Sequence, residues 1–461
     1  MYKYILLLIA IFFLSHCSLD TKSGFWTKSE VQQEQKDDLE KIFKSENFLK
    51  NEFNPNLKIK IKTSYQQKPF VNNLSNNSGY INFESNFEKI SKFKFKKIKN
   101  FNNINPDLLI GRDNSLIFFN EKGTILKFDQ ESKLIWKKNV YSKKEIKLNP
   151  LIFFGTNNKI LIAADDIANI YALNYYTGDL LWRNSNSSSF NSEIKIFKDK
   201  LFLIDFENNL RCISVKDGNE LWSFRTEKSF IKSQRKLSLI VQNNFVIFID
   251  TFGDINALDI NSGNLVWQFQ TTDEDIFESA FLLKSSRLVS DGETIFVSNN
   301  QNKFFAISSK NGLMKWQQTI NSYLAPTIID NLVLTISEDG FFIIIDKTNG
   351  NILRSTNIMG TKKNNTYPVG FIAAKKFIYV SLSNGRLLKV LIEDGKTKDI
   401  IKIDGDKISR PYILNKNMYI LRNNAIVKIE NEISDVLGKR PRMGTPAAIN
   451  PYVLEGTESP S

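Results

Sequence analysis

The chain has 461 residues, of which 42% are apolar, so a domain that covers most of it can bury a substantial core. The formal charge of +13 is compatible with binding to phosphates. Lys accompanies abundant Asn, Ile and Phe throughout the sequence, however, which indicates a general bias in amino-acid composition. We therefore expect no nucleic-acid partner. The only histidine is His16, close to the N-terminus, so the sequence beyond it offers no His-containing zinc site, no Ser-His-Asp triad and no histidine general base.

The N-terminal region has the pattern of an exported protein. Lys3 is followed by an apolar stretch from Ile5 to Leu14, which is too short to span a bilayer and typical of a signal peptide. The next residues, Ser15-His16-Cys17, resemble a bacterial lipoprotein cleavage site, although His16 replaces a small residue. We therefore expect residues 1–17 to end in a lipidated Cys17. Because Ser18 follows rather than aspartate, we expect the periplasmic face of the outer membrane; the alternative is an ordinary cleaved signal and a soluble periplasmic protein.

Two polar segments flank the rest of the chain. Residues 18–77 are rich in Lys, Asn, Ser, Gln and Glu and predict a polar tether, with an end-to-end distance on the order of 40 Å if it is flexible. Residues 438–461, which contain four prolines, predict a flexible C-terminal tail. A domain is expected between them, over residues 78–437.

A short motif recurs along that domain. Each copy has a turn of Thr, Ser, Asn or Asp followed by glycine, after a short apolar strand. The glycines are Gly178, Gly218, Gly263, Gly312, Gly350 and Gly395. A tryptophan stands four residues after each of the first four glycines, and an earlier degenerate copy supplies a fifth. The tryptophans are Trp136, Trp182, Trp222, Trp267 and Trp316.

The spacing of the glycines predicts an all-β repeat protein. Successive glycines are 38 to 49 residues apart, the length of one four-stranded propeller blade. In the fourth copy the predicted strands are Leu237 to Val241, Phe245 to Asp250, Asp254 to Asp259 and Leu265 to Gln270. Seven turn markers and three further strands from Pro411 to Glu430 predict an eight-bladed β-propeller, with seven blades as the alternative.

The last blade lacks a fourth strand of its own. Residues Lys92 to Ile98 form a spare alternating segment before the first blade, so we expect this N-terminal strand to complete the last blade and close the ring. The turn glycines are expected to adopt a positive φ, and the tryptophans to wedge between neighbouring blades. Cys212 occupies a position that alanine fills in other repeats, which predicts a packed thiol.

The repeat resembles a known family. The pattern Ala-Leu-Asp-x-x-(Ser/Thr)-Gly-x-x-x-Trp, from Ala257 to Trp267 and in variant form from Ala172 to Trp182, resembles the pyrroloquinoline-quinone (PQQ) type of propeller repeat. With a lipoprotein-like leader and a tether, the chain is most similar to the BamB family, accessory subunits of the machinery that assembles outer-membrane β-barrels. The resemblance implies a non-catalytic scaffold that docks on the barrel subunit (BamA-like) and aids the assembly of unfolded outer-membrane proteins.

The resemblance also implies a docking surface on the connectors between central blades. The matching connector here is Thr226 to Lys236, where Lys232, Gln234 and Arg235 are the candidate partner-binding residues. The acidic residues expected near the end of the next connector are not matched, because that stretch contains Lys284 and Arg287.

Two other functions remain open on the residues alone. The first is a PQQ-dependent dehydrogenase, which is expected to carry a catalytic Asp, acidic and amide ligands for a metal, and an adjacent cysteine pair. None of these features can be placed in this sequence. No catalytic, cofactor-binding or metal-binding residue is therefore predicted. The carboxylates of Asp165-Asp166 and Asp273-Glu274-Asp275 fall in connecting segments, where we expect them to be solvated. The other open function is that of a periplasmic propeller that binds a glycan.

Overall fold

A computed structural model describes residues 51–61, 80–81, 83–84, 87, 89–94, 101, 107–111, 113–226, 236–272, 283–360, 366–414 and 417–430. Two N-terminal strands, β1 (Tyr80–Ile81) and β2 (Lys89–Lys94), precede the repeats. Within these ranges, no helix is long and apolar enough to cross a membrane.

Seven sets of four consecutive antiparallel strands follow, and β1 joins the seventh set as a fifth strand, parallel to its first strand. The strands of the first three are β3 (Leu109–Ile110), β4 (Leu116–Phe119), β5 (Ile125–Phe128) and β6 (Leu134–Lys138); then, after the short helix α1 (Lys143–Ile146), β7 (Ile152–Thr156), β8 (Ile160–Asp165), β9 (Asn169–Asn174) and β10 (Leu180–Ser185); and β11 (Lys195–Phe197), β12 (Lys200–Ile204), β13 (Asn209–Ser214) and β14 (Glu220–Arg225). The next two are β15 (Leu239–Gln242), β16 (Phe245–Ile249), β17 (Ile255–Asp259) and β18 (Leu265–Phe269); and β19 (Val289–Ser290), β20 (Thr294–Ser298), β21 (Phe304–Ser308) and β22 (Met314–Gln318). The last two are β23 (Thr327–Ile329), β24 (Leu332–Ile336), β25 (Phe341–Asp346) and β26 (Ile352–Asn357); and β27 (Pro368–Ala374), β28 (Phe377–Leu382), β29 (Arg386–Leu391) and β30 (Thr397–Lys402).

The eighth sheet joins the two ends of the domain. Its strands β31 (Tyr412–Leu414), β32 (Asn417–Arg422) and β33 (Ala425–Glu430) come from the C-terminal end, and β2 pairs antiparallel with β33, from Lys89 opposite Glu430 to Lys94 opposite Ala425. The eight-bladed propeller and its closure by an N-terminal strand are thus confirmed. Pairing begins three residues earlier than predicted, because the position of β33, and not the apolar pattern of the N-terminal segment, fixes the register. Residues 95–98 lie outside the described residues.

The first strand of each blade lies innermost and the fourth outermost. The innermost strand β11 contacts β7 and β15 of the two neighbouring blades, as only strands close to the ring axis do. Fourth strands such as β10 and β14 are instead mostly exposed. The core lies between the blades, where the faces of adjacent sheets pack against each other. The inner ends of the blades therefore meet around the axis.

Each turn glycine packs against the tryptophan of the preceding blade. All six predicted glycines have φ between +70° and +79°. A Cβ added at Gly312 would lie 2.7 Å from Cε3 of Trp267, and the first five glycines each face a tryptophan in this way. Trp316 further donates a hydrogen bond from Nε1 to the carbonyl of Lys347 in the next blade, at 2.9 Å. The expected wedge between blades is confirmed.

Small residues on the third strand leave room for the tryptophans. Ala172, Cys212, Ala257 and Ala306 stand directly opposite the second to fifth tryptophans in the strand register. The Cys212 side chain is fully buried, and burial raises the pKa of its thiol to about 12. The prediction of a packed thiol is confirmed.

Candidate functional site: a charged cluster on the propeller axis

Charged side chains gather where several innermost strands begin. Asp107, Glu193, Arg287 and Arg410 each stand two residues before an innermost strand, and Lys236 stands three before β15. These residues belong to the first, third, fifth, eighth and fourth blades, and blades so far apart in a ring can bring side chains together only near its axis. We call this set, completed by Lys195 and Tyr412, the axial cluster.

Asp107 is the centre of the cluster. Its carboxylate accepts hydrogen bonds from Arg287 Nη2 at 2.6 and 2.7 Å, from Lys236 Nζ at 2.6 Å and from the Tyr412 hydroxyl at 2.8 Å. Burial alone would raise its pKa, but the positive charges of Arg287, Lys236 and Arg410 outweigh burial and hold the pKa well below its usual range. Asp107 is therefore ionised at neutral pH.

Glu193 is the second anion and is almost fully buried. Its Oε1 lies 3.2 Å from Nη1 of Arg287, and its Oε2 accepts hydrogen bonds from Ser238 Oγ at 2.9 Å and from the backbone N–H of Leu239 at 3.3 Å. Lys195 Nζ lies 3.6 Å from the same oxygen, and burial, partly offset by the charge of Glu193, lowers the pKa of Lys195 to about 8. The two carboxylates together hold the inner ends of several blades.

The chemistry of the cluster is that of a structural hub. Both carboxylates are engaged by cations and hydrogen bonds, so neither is poised as a general base. The Ser238 hydroxyl is buried and also accepts a hydrogen bond from the backbone N–H of Leu288, so it connects the starts of two innermost strands. The cavity beside Asp107 and Glu193 measures about 10 Å³, room for about one water molecule.

These residues do not fit a quinone cofactor. The cavity is far smaller than a tricyclic quinone needs, and its charged groups are already paired with one another. In the part of the chain that the structure describes, no group of three or more His, Cys, Asp or Glu side chains is placed to hold a metal ion. No step of a quinone-dependent reaction is therefore assigned to this site.

The connectors implied as a docking surface end in the axial cluster. Lys232, Gln234 and Arg235 lie outside the described residues, but the last residue of their connector, Lys236, is fixed on Asp107. The following connector ends at Arg287, whose charge Asp107 and Glu193 balance. The basic residue found where the family pattern expects acidic ones thus has a structural partner inside the propeller.

The sequence analysis missed the axial cluster, although the sequence carries a weak signal for it. Three of its members follow a serine, in Ser192-Glu193, Ser286-Arg287 and Ser409-Arg410. Each serine hydroxyl accepts a backbone N–H of the second strand of its blade, from Ile204, Ser298 and Leu421 respectively. A serine followed by a charged residue two positions before an innermost strand, repeated in three blades, is the pattern that could have located the cluster.

The expectation that Asp165 is solvated was wrong. Asp165 is the last residue of β8 and is fully buried, where its Oδ1 accepts the backbone N–H groups of Ile167 and Asn169 and its Oδ2 accepts the hydroxyl of Tyr141 at 2.8 Å. Burial raises its pKa to about 6. Asp205 and Asp250 close the same turn in the next two blades, so this carboxylate is a structural turn residue. Residues 273–275 lie outside the described residues.

Solved structures show the same fold at low sequence identity. The structure of BamB from Moraxella catarrhalis superposes with a TM-score of 0.59 at 14% identity, covering 75% of this chain and 98% of that one. Quinohemoprotein alcohol dehydrogenase from Comamonas testosteroni superposes with a TM-score of 0.57 at 9% identity, covering 75% of this chain and 77% of that one. The computationally designed Ika8 protein reaches 0.55 at 11% identity, covering 73% and 99%. A search of curated proteins found no match.

The fold and the axial cluster define the class of protein. It is an eight-bladed propeller of PQQ-type repeats with paired charged side chains near its axis. The family follows from a sequence comparison. The family model described as "Outer membrane protein assembly factor BamB" matches residues 121–356, more than half of the chain. The chain belongs to the BamB family.

Proposed function

We propose that this protein is a non-catalytic scaffold subunit of the machinery that assembles β-barrel proteins in the outer membrane. It is held at the periplasmic face of that membrane by a lipid on Cys17, and it docks on the periplasmic domains of the barrel subunit. The observation that carries the proposal is the match of the BamB family model to residues 121–356. The pairing of both carboxylates of the axial cluster with cations and hydrogen bonds fits a binding role.

The docking surface is proposed to include the connector from Thr226 to Lys236. Lys236 fixes the end of this connector on Asp107, so the preceding residues start from a rigid base. Lys232 and Arg235 then offer positive charge to acidic groups of the partner. A rigid rim of connectors can bind a folded domain by loop contacts without any reactive group.

Co-purification from detergent-solubilised outer membranes tests the proposal. We expect the wild-type protein to bring down the barrel subunit and the double charge reversal Lys232→Glu and Arg235→Glu to bring down less. The matched control is Lys143→Glu with Lys144→Glu, which makes the same charge change at two exposed lysines of α1. Wild-type protein that never retains the barrel subunit would overturn the function, and equal binding by both double variants would overturn only the choice of connector.

The mass of the mature protein tests the anchor separately. A chain that begins at Cys17 and carries a diacylglyceryl group is expected. An unmodified chain that begins beyond residue 17 would show that the protein is not anchored in this way.

A further inference from the structure

The sixth blade departs from the pattern of its neighbours. Arg354 stands four residues after Gly350, in the position that tryptophan fills in the preceding blades, and it lies opposite Ile344 instead of a small residue. Its side chain is fully buried. A buried guanidinium has to be hydrogen-bonded, so the partners of Arg354 explain why it is there.

Arg354 binds backbone carbonyls from two parts of the chain. Its Nη2 donates to the carbonyl of Ile392 at 2.6 Å, the equivalent of the carbonyl that accepts the tryptophan N–H in other blades. Its Nη1 donates to the carbonyl of Glu393 and, at 2.9 Å, to the carbonyl of Leu57. Arg354 thus replaces the interblade hydrogen bond of tryptophan and adds a bond to an N-terminal segment.

That segment, residues 51–61, lies within the predicted tether and is seated on the seam between the sixth and seventh blades. Phe53 and Ser355 of β26 exchange both backbone hydrogen bonds, at 3.0 and 2.9 Å. The N–H of Ile59 donates to the carbonyl of Glu393 at 2.9 Å. The segment therefore adds to the free outer edge of one blade and also contacts the next.

The segment turns between Asn54 and Leu57, where the Leu57 N–H donates to the carbonyl of Asn54 at 3.0 Å, and beyond this turn its side chains follow the alternation of an extended chain. Ile59 and Ile61 are half-buried and pack against the core between the two blades, whereas Lys58 and Lys60 are exposed. Most of the polar contacts use backbone atoms, and the main charged group that the seam contributes to them is Arg354. Recognition of this kind uses backbone pairing at Phe53, a turn, and then a short extended stretch with alternating apolar residues.

We propose that the seam between blades six and seven, built around Arg354, is a peptide-binding site, and that its resident ligand is residues 51–61 of this same chain. The contact acts as a strap that fixes where the N-terminal region leaves the propeller. The site stands on its own contacts; its consequence for anchoring depends on the proposed lipid at Cys17.

The strap shortens the free tether. Residues 18–50 separate Cys17 from the strap, and a flexible chain of that length would have an end-to-end distance of about 30 Å, against about 40 Å for a flexible chain as long as residues 18–77. The strap also places the edge of blades six and seven nearest the anchor. The N-terminal region thereby sets the orientation of the disc as well as its distance from the membrane.

Engineered cysteines test the strap in the full mature chain. Residues that exchange both hydrogen bonds in an antiparallel pair have Cα atoms about 5.5 Å apart, within disulfide range. Phe53→Cys with Ser355→Cys is expected to form an intramolecular disulfide on mild oxidation, seen as a loss of two hydrogens by mass. The control is Lys58→Cys with Ser355→Cys, because Lys58 is exposed and the neighbouring Ile59 bonds to Glu393 rather than to β26. No more disulfide in the test pair than in the control would overturn the proposal, and disulfide-linked dimers would overturn its assignment to the same chain.

Hydrogen exchange tests the role of Arg354. The variant Ile344→Ala with Arg354→Trp restores the pair of small residue and tryptophan used in blades two to five, but it removes the bond to Leu57. Hydrogen bonds to charged groups contribute about 1.5–3 kcal/mol, so the amides of Phe53 and Ile59 are expected to exchange about tenfold faster or more, while those of β17 are unchanged. Wild-type amides at these two positions that exchange as in an unstructured chain would overturn the proposal. Neither experiment involves lipid or the barrel subunit, so its failure is distinct from failure of the proposed function.

Discussion

The contact between a turn glycine and the tryptophan of the preceding blade predicts the cost of a single methyl group. Gly312 and Gly360 have nearly the same φ, +71° and +68°, in the left-handed region. A Cβ at Gly312 would meet Cε3 of Trp267 at 2.7 Å and Cδ2 at 2.9 Å, whereas a Cβ at Gly360 would meet nothing within 4 Å. The two positions therefore separate backbone strain from overpacking.

Both Gly→Ala variants incur the cost of a left-handed conformation, about 1–2 kcal/mol. Only Gly312→Ala also forces a buried indole to shift, which adds about 1–3 kcal/mol. We therefore expect Gly360→Ala to lower the free energy of unfolding by about 1–2 kcal/mol and Gly312→Ala by about 2–5 kcal/mol. Equilibrium unfolding in urea, with unchanged slopes, measures both.

A double-mutant cycle isolates the interblade contact. Trp267→Ala alone is expected to cost about 3–5 kcal/mol, because it leaves a cavity between two blades. In that background the indole is gone, and Gly312→Ala should cost only what Gly360→Ala costs in the wild type. Two results would refute the assignment of the extra cost to the indole. One is that Gly312→Ala and Gly360→Ala cost the same in the wild type. The other is that Gly312→Ala costs as much in the Trp267→Ala background as in the wild type.

Three further predictions concern the axis, the closure and the thiol. Asp107→Ala leaves Lys236 and Arg287 without their shared anion and is expected to lower the free energy of unfolding in urea by about 3–5 kcal/mol, with Asp107→Asn costing less. Because the folded pKa of Asp107 is lowered, this stabilisation is complete above the ordinary carboxyl pKa of about 3.9 and is lost as the pH falls towards the folded pKa. A difference in stability between wild type and Asp107→Ala that stays constant far below about pH 4 would contradict this. Deletion of residues 18–75 should leave a folded propeller, whereas deletion of 18–98 removes β2 and opens the ring, so equal melting temperatures for the two would disprove closure by β2. Cys212, with its pKa raised to about 12, should not react with a thiol reagent at pH 8 in the native protein and should react after unfolding.

The local repeat made most of the fold predictable. In the fourth blade the predicted strand Phe245 to Asp250 differs by one residue from β16, and the predicted Leu265 to Gln270 differs by one from β18. A glycine that needs a positive φ, a large tryptophan and a small residue opposite it recur within each of blades two to five, so one stretch of sequence carries the signal of a blade. The count of these signals gave eight blades, and the missing last strand gave the closure.

The candidate docking residues remain predictions. Lys232, Gln234 and Arg235 lie outside the described residues, and the family pattern alone supports them. The register of the closing strand was beyond the sequence for a different reason: between Lys89 and Ile98 the apolar residues are Ile90, Phe93, Phe95 and Ile98, which do not keep a two-residue period, so the pattern does not fix which residues pair with β33.

What the sequence determined by itself is the blade, because each blade is specified by contacts between residues close together in the chain. What the tertiary structure decided is where unlike blades meet. Asp107 and Tyr412 are 305 residues apart and bond only because the ring closes. Arg354 departs from the repeat at a position where a segment 297 residues away, at Leu57, needs a hydrogen-bond donor. No local pattern encodes a partner at that distance, so the axial cluster and the strap became visible only in the folded ring.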